Sequence, residues 1–327
     1  MRHILLFCTG LAASPALAGV DAALTDHILP GYADFSEAAE TLSSAAGDDS
    51  TADALKAPWN TAFDAWTEIG DVRMGPSETG ALSVVFWPDA RGFTPKTLSR
   101  LIDGEEEVGT DPAAYADVSI AARGLFALER MLYDPAFSDY AGGSYACTLV
   151  RTMAADLANQ ADSLERDWRE TFAEVLRSAG SEGNATYLSE DEALRALYTQ
   201  ALSSLEFTAD SRLGRPLGTF ERPRPTRAEA ALSERSLRNV LLYSDAAAAL
   251  ARTLADRDMP ETDAALERLH DVADNFSDPG FQDIEDPSAR LLVEIVQQHV
   301  RSLSQAIEQE LGVPLGLTAG FNSQDGD

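Results

Sequence analysis

The stretch Ala121-Ala-Arg-Gly-Leu-Phe-Ala-Leu-Glu-Arg-Met-Leu-Tyr-Asp134 decides how this chain folds. Wound as an α-helix at about 100° per residue, it gathers Val118, Ala121, Ala122, Leu125, Leu128 and Leu132 on one apolar face. Arg123, Ala127, Arg130 and Asp134 fall opposite. Glu129 breaks the pattern. It projects from the apolar face, where a carboxylate is costly to desolvate without a partner. Gly124 edges the same face and clears room for a neighbouring helix to approach. A glycine inside a helix costs roughly 1 kcal/mol relative to alanine, so a packing reason is expected.

Outward from this stretch, nearly every segment repeats helical spacing. Leu24, Ile28, Tyr32, Phe35 and Leu42 line Asp21–Ala46, with a kink or break expected at Pro30-Gly31. Leu55, Trp59, Phe63, Trp66 and Ile69 line Thr51–Val72. Residues 76–93 carry Gly80, Pro88 and Gly92 around the apolar run Leu82–Trp87 and read as an irregular, packed connection. A short helix follows, with Thr94 as its N-cap and Pro95 in its first turn. The central helix is expected from about Asp111 to Leu132. Ser144–Ala179 reads as one helix of roughly 50 Å, buried along Leu149, Met153, Leu157, Leu164, Trp168 and Val175.

Gly180-Ser-Glu-Gly-Asn184 is the best boundary in the chain. Beyond it, Ser189–Ser211 is helical, with Ser189 capping and Glu192 closing a capping box. A Pro/Gly/Arg-rich connector covers Gly214–Pro225, and helices are expected at about 226–257, 261–276 and 286–311. Strand signals are nearly absent. The expectation is an all-α protein of two helical bundles, residues 19–180 and 185–327. Arg73-Met-Gly75-Pro76 and Arg212-Leu-Gly-Arg-Pro216 echo one another at helix ends. A duplicated half accounts for the echo, and so does ordinary helix-end chemistry.

The first eighteen residues read as a secretory signal. Arg2 and His3 precede an apolar run from Ile4 to Ala13, and Ala16-Leu17-Ala18 offers a cleavage site before Gly19. The run falls short of the about 20 residues that a membrane span needs. The expected mature protein is periplasmic, with no membrane span, and retains Cys147 as its one cysteine. Cys147 is expected to be a small buried apolar residue. The formal charge is −29, which repels nucleic acid and anionic lipid and excludes nucleic-acid binding as a role.

Two sets of polar residues stand out. Glu129 reads either as a metal ligand or polar anchor in a cleft between bundles, or as a buried charge paired with Arg73 or Arg212. Arg212, Arg215, Arg222, Arg224 and Arg227 gather around the connector. They read either as holding a carboxylate or phosphate or, the favoured reading for the group, as pins between the bundles that pair with Glu206, Asp210, Glu221 and Glu229. Arg212, beside a helix end, is the expected cleft residue. His299 lies in an apolar stripe and reads as core, His270 as half-exposed, and Trp66 as core with cleft lining as the alternative. No Gly-x-Ser-x-Gly context surrounds Ser233 or Ser236, and phosphate loops and zinc-type cysteine clusters are missing.

Gly124, Phe126 and Glu129 resemble the Gly-x-His-x-x-Glu motif of the imelysin-like family, with Phe126 in the histidine position. The resemblance extends over most of the mature length. It includes His27-Ile-Leu-Pro30-Gly-Tyr32, Trp66 with Arg73-x-Gly75-Pro76, Arg212-Leu-Gly-Arg-Pro-Leu-Gly218, Ser233-x-x-Ser236-Leu-Arg and Gly320-Phe-Asn322. It implies an exported, all-helical protein associated with iron-regulated uptake, in a family whose founding member was described as a metallopeptidase. By resemblance the ligand site comprises Glu129, Arg73, Arg212, Trp66 and His27, with Glu129 and His27 as candidate ligands for iron or another divalent metal. Phe126 weighs against peptidase activity. A phenyl ring cannot ligate, and a catalytic zinc needs about three protein ligands. The expected function is therefore periplasmic binding linked to metal uptake, involving a small ligand or metal ion and an envelope transport component. A metal-dependent peptidase and an envelope protein–protein adaptor are the alternatives.

Overall fold

The computed structural model describes residues 15–255 and 257–318. The first fourteen residues of the expected eighteen-residue leader, Cys8 among them, and the closing Gly320-Phe-Asn322 segment lie outside them. Almost all regular structure is helical, and the bridge from Thr219 to Arg222 is the one β-pairing among the described residues. No described helix is long and apolar enough to cross a membrane.

Helix α1 (Pro15–Ala23) runs through a π-turn at Leu24–Ile28 into α2 (Leu29–Asp48). The break expected at Pro30-Gly31 is replaced by this wide turn, just ahead of the proline, which has no N–H to contribute. Next come α3 (Ala52–Ile69), α4 (Pro76–Val84), α5 (Phe93–Gly104) and α6 (Gly124–Tyr133). Residues 76–84 are thus helical, not irregular. The cap of α5 is Asp89 rather than Thr94: its carboxylate accepts from the backbone N–H of Phe93 at 2.9 Å and of Thr94 at 2.8 Å.

A long helix does follow Ser144, as α7 (Tyr145–Asp167), a π-turn at Trp168–Phe172 and α8 (Ala173–Arg177). In the second half α9 (Glu190–Phe207) starts at the expected cap, with Ser189 Oγ accepting from Glu192 N, while Glu192 Oε2 accepts from Leu188 N, one residue ahead of the box expected at Ser189. A π-turn at Thr208–Leu213 leads into α10 (Gly214–Leu217), and α11 (Ser236–Leu254), α12 (Pro260–Ala273) and α13 (Pro287–Ile307) follow. A last π-turn joins α13 to α14 (Val313–Leu315).

Helices α2, α3 and α7 pack side by side, and α6 lies against α3 and α7. Helices α9, α11, α12 and α13 form the second group. Helix α1 rests on α9 and α11, and α3 on α11, so the buried apolar side chains of both halves form one cluster. Trp59, Trp66, Trp168, Tyr32, Phe35 and Phe63 are fully buried. Tyr32 stacks on Trp168 at 5.3 Å and Phe35 packs on Trp66 at 4.9 Å. Cys147 is buried as expected, its Sγ 2.9 Å from Ser50 Oγ. The glycine echo does not survive as an equivalence of position. Gly214 continues a helix, and the backbone of Gly75 (φ 54°, ψ −128°) is matched by Gly218 (φ 54°, ψ −132°).

Candidate functional site

The helix expected from Asp111 to Leu132 is corrected to two short 3₁₀ turns, Ala114–Asp117 and Ile120–Ala122, followed by α6, which begins at Gly124. Arg123 is extended and Gly124 has φ +73°. A Cβ there would sit 2.1 Å from the Val84 carbonyl oxygen and 2.4 Å from that of Ser83. Only glycine combines that backbone with that approach. The close neighbour anticipated from the sequence is therefore the end of α4. Arg123 is locked by two bonds to Asp156, at 2.9 and 2.7 Å. The start of α6 is thereby fixed, and with it the directions of Phe126 and Glu129. Nearly all of α6 is buried, Ala127 included, so the polar face drawn on the helical wheel reduces to Arg130.

Glu129 is 4% exposed. Its Oε1 accepts from Ser233 N at 3.0 Å and Ser233 Oγ at 2.7 Å. Burial pushes its carboxyl up from 4.5 to about 7, against the downward pull of the Ser233 hydrogen bonds and of the Arg130 charge. The partner is a serine, not Arg73 or Arg212. Beside it opens a cavity of about 340 Å³, at the lower end of the about 300–1,000 Å³ typical of small-molecule sites. Trp87, Asp89, Phe126, Glu129 and Arg130 line it from the first half; Arg215, Arg227, Ala228, Ala231 and Leu232 line it from the second.

The loop that brings Ser233 to Glu129 is held under strain. Ala230 (φ 48°) and Glu234 (φ 56°) are non-glycine residues in the left-handed region. Ser236 Oγ donates to the Glu229 carbonyl at 2.6 Å, and Arg235 N donates to that of Ala230 at 3.0 Å. The buried Arg235 guanidinium donates to Asn60 Oδ1 at 2.6 Å and pairs with Asp64, both on α3. One edge of the cavity is thus clamped to the opposite half.

Arg212 is the hub of a separate buried network. It donates to Asp71 at 2.8 and 3.0 Å, to Glu229 Oε2 at 3.1 Å and to Thr208 Oγ1 at 2.9 Å. Its guanidinium lies 3.4 Å from the Tyr243 ring centroid. Desolvation pushes Asp71 up, but Arg212, Arg73 and Ser204 outweigh it and hold the carboxyl below its ordinary value. Burial raises Glu229 despite Arg212. Arg212 therefore pins the halves together, while two of its neighbours on the connector, Arg215 and Arg227, reach the cavity wall. The expected division of labour is reversed.

The other residues of the expected site lie elsewhere. Arg73 Nε donates to the Gly70 carbonyl at 2.6 Å and its backbone N–H donates to Gln200. Trp66 is core, with its buried Nε1 unpartnered among the described residues. His27 lines, with Thr67, Glu68 and Asp71, a second, far smaller recess, and burial lowers its pKa to about 4. No residue lines both that recess and the cavity of Glu129, so the expected metal pair is not assembled. His299 is half-buried, and His270 meets Asp245 at 2.8 Å. Arg215 and Trp87, neither of them expected in the cleft by name, line the cavity, and Ser233, next to the lining residue Leu232, holds Glu129. The resemblance pointed at Ser233 and Arg215, and the arginine cluster at Arg215 again; no signal pointed at Trp87.

The donor set does not fit a metal. Among the described residues no group of three or more His, Cys, Asp or Glu side chains is placed to hold one. At the cavity, Phe126 packs on Phe63 with centroids 5.5 Å apart, and Asp89 is engaged in capping α5. Glu129, held by Ser233, is the one other carboxylate on the wall among the described residues.

A two-part helical fold closing on a buried glutamate that follows a left-handed glycine defines a class. The family model "Peptidase_M75: Imelysin" matches residues 28–307, and the chain belongs to the imelysin family. Its fold is similar to that of an imelysin-like protein from Psychrobacter arcticum 273-4, with a TM-score of 0.78 at 17% identity, covering 97% of this chain and 100% of that one. A putative iron-regulated protein A precursor from Parabacteroides distasonis ATCC 8503 gives a TM-score of 0.68 at 13% identity, covering 93% of this chain and 97% of that one. No curated protein matches the chain.

Proposed function

We propose that this chain is an exported, periplasmic binding protein of the imelysin type, linked to iron acquisition. It holds a small ligand between its two bundles, residues 19–180 and 185–327, and passes it to an envelope transport component. The observation that carries the reading is Glu129, a buried carboxyl on the wall of the cavity where the halves meet. Family membership supports it, and so does the description of one structural relative as iron-regulated. Metal ligation by Glu129 and His27 forms no part of it, because those residues line different recesses.

Ala231→Phe fills the cavity from a loop position and tests the reading. Native mass spectrometry of protein recovered from the exported fraction should show a small-molecule adduct on the wild type and none on the variant. Under iron limitation, the variant should fail to restore growth to a strain lacking the protein. Retention of both the adduct and the growth by a folded Ala231→Phe would end the proposal.

A further inference from the structure

We infer that the cavity takes an organic anion with a flat apolar body, an aromatic carboxylate in chemical class, seated with its charge on Arg215 and Arg227 and its ring against Trp87. The inference rests on the reading of the cavity as a ligand site and adds the chemistry of what enters it.

Arg215 carries the argument. It lines the cavity, is half-buried, and makes no hydrogen bond or ion pair among the described residues; its Nε is sealed from water and unpartnered. Buried polar groups in folded proteins are almost always satisfied, so an orphan on a cavity wall points to a ligand. Carboxylates are not scarce here: the chain has 54 Asp and Glu against 25 Lys and Arg. The more deeply buried arginines have found them, Arg123 on Asp156, Arg212 on Asp71 and Arg235 on Asp64. Arg130, also on the cavity wall, is paired with Asp134. Arg227 stands on the wall without a side-chain partner among the described residues.

The cavity does not neutralise these charges itself. Its wall carries two carboxylates. Asp89 is committed to the N–H groups of Phe93 and Thr94, and Glu129 to Ser233. A cationic ligand would face the guanidiniums directly. An anion completes them, and an arginine fork matches a carboxylate in geometry as well as charge. The shape of the remainder follows from the aromatic wall. Trp87 and Phe126 lie within 25° of parallel, 6.4 Å apart, and the Arg215 guanidinium is 6.0 Å from the Trp87 ring. A flat ring laid on this wall brings its carboxylate within reach of Arg215.

The test is isothermal titration of the full chain with 2-naphthoate, its neutral isostere 2-naphthamide, and inorganic phosphate. Naphthoate should bind, with naphthamide and phosphate each weaker by about tenfold or more. Arg215→Gln should weaken naphthoate by about tenfold and leave naphthamide unchanged. Equal affinity for naphthoate and naphthamide, or indifference of naphthoate to Arg215→Gln, overturns the anion. Phosphate binding as tightly as naphthoate overturns the flat body. Absence of naphthoate binding while the wild type still carries an adduct that Ala231→Phe loses refutes the ligand class alone. Absence of any adduct refutes the binding reading beneath it.

Discussion

Replacing Glu129 by glutamine isolates what its charge costs the fold. The amide keeps an oxygen to accept from Ser233 N and Oγ and removes only ionisation. Burial raises the carboxyl from 4.5 to about 7, so the folded state binds this proton more tightly than the unfolded chain does. The stabilisation is complete below 4.5 and is lost as the pH rises through about 7. At about 1.4 kcal/mol per pH unit, the whole interval is worth about 3 kcal/mol. Most of it, about 2–3 kcal/mol, falls between about pH 5 and about pH 8. Urea unfolding of both proteins at these two pH values measures it. Relative to the wild type, Glu129→Gln should gain stability as the pH rises, by about 2–3 kcal/mol across the range. A difference that stays constant with pH, or a variant that falls behind at high pH, would show that the carboxyl is solvated and the reasoning wrong.

Three further outcomes follow from the same geometry. Arg212→Met strips Asp71 and Glu229 of their buried counter-charge and should cost about 3–5 kcal/mol in denaturant unfolding; Arg212→Lys should not restore it, since an ammonium cannot reproduce both the fork to Asp71 and the stack on Tyr243. Gly124→Ala forces a left-handed backbone on alanine and drives its Cβ onto the Ser83 and Val84 carbonyls, so loss of soluble protein or a drop of about 3 kcal/mol or more is expected in the same assay. Phe126→His returns the motif histidine, but with Asp89 engaged in capping α5 it adds only a second donor to Glu129, and elemental analysis after dialysis should find no stoichiometric zinc or iron.

Apolar periodicity was enough to read the all-helical fold, because stripes such as Leu149, Met153, Leu157 and Leu164 repeat at a spacing no strand supports. Glu129 was legible for a related reason: a carboxylate on an apolar face needs a partner wherever the chain folds. Its partner was not. Ser233 lies 104 residues away in a loop whose position depends on the Arg235 clamp to α3, and no local pattern encodes that contact. The start of α6 was hidden too. A wheel drawn through Asp111–Leu132 assumes helical φ throughout, and the +73° at Gly124 ends that assumption at one residue.

The exchange of roles between Arg212 and Arg215 has a mechanical origin. From Glu190 to Phe207 the chain keeps an α-helical period, and a wheel carried forward from there assigns each arginine a direction. The π-turn at Thr208–Leu213 takes in more chain per turn and changes the phase of every residue after it. Arg212 comes round to face Asp71, Glu229 and Tyr243 in the interior, and Arg215 is carried past them to the cavity wall beside Trp87. With a regular α-turn in its place, the phase of the two guanidiniums would differ and neither would keep its present neighbours. The same wide turn therefore serves the fold and the site together: it supplies the counter-charge that two buried carboxylates require, and it leaves one cation of a strongly acidic chain uncommitted where a ligand can reach it.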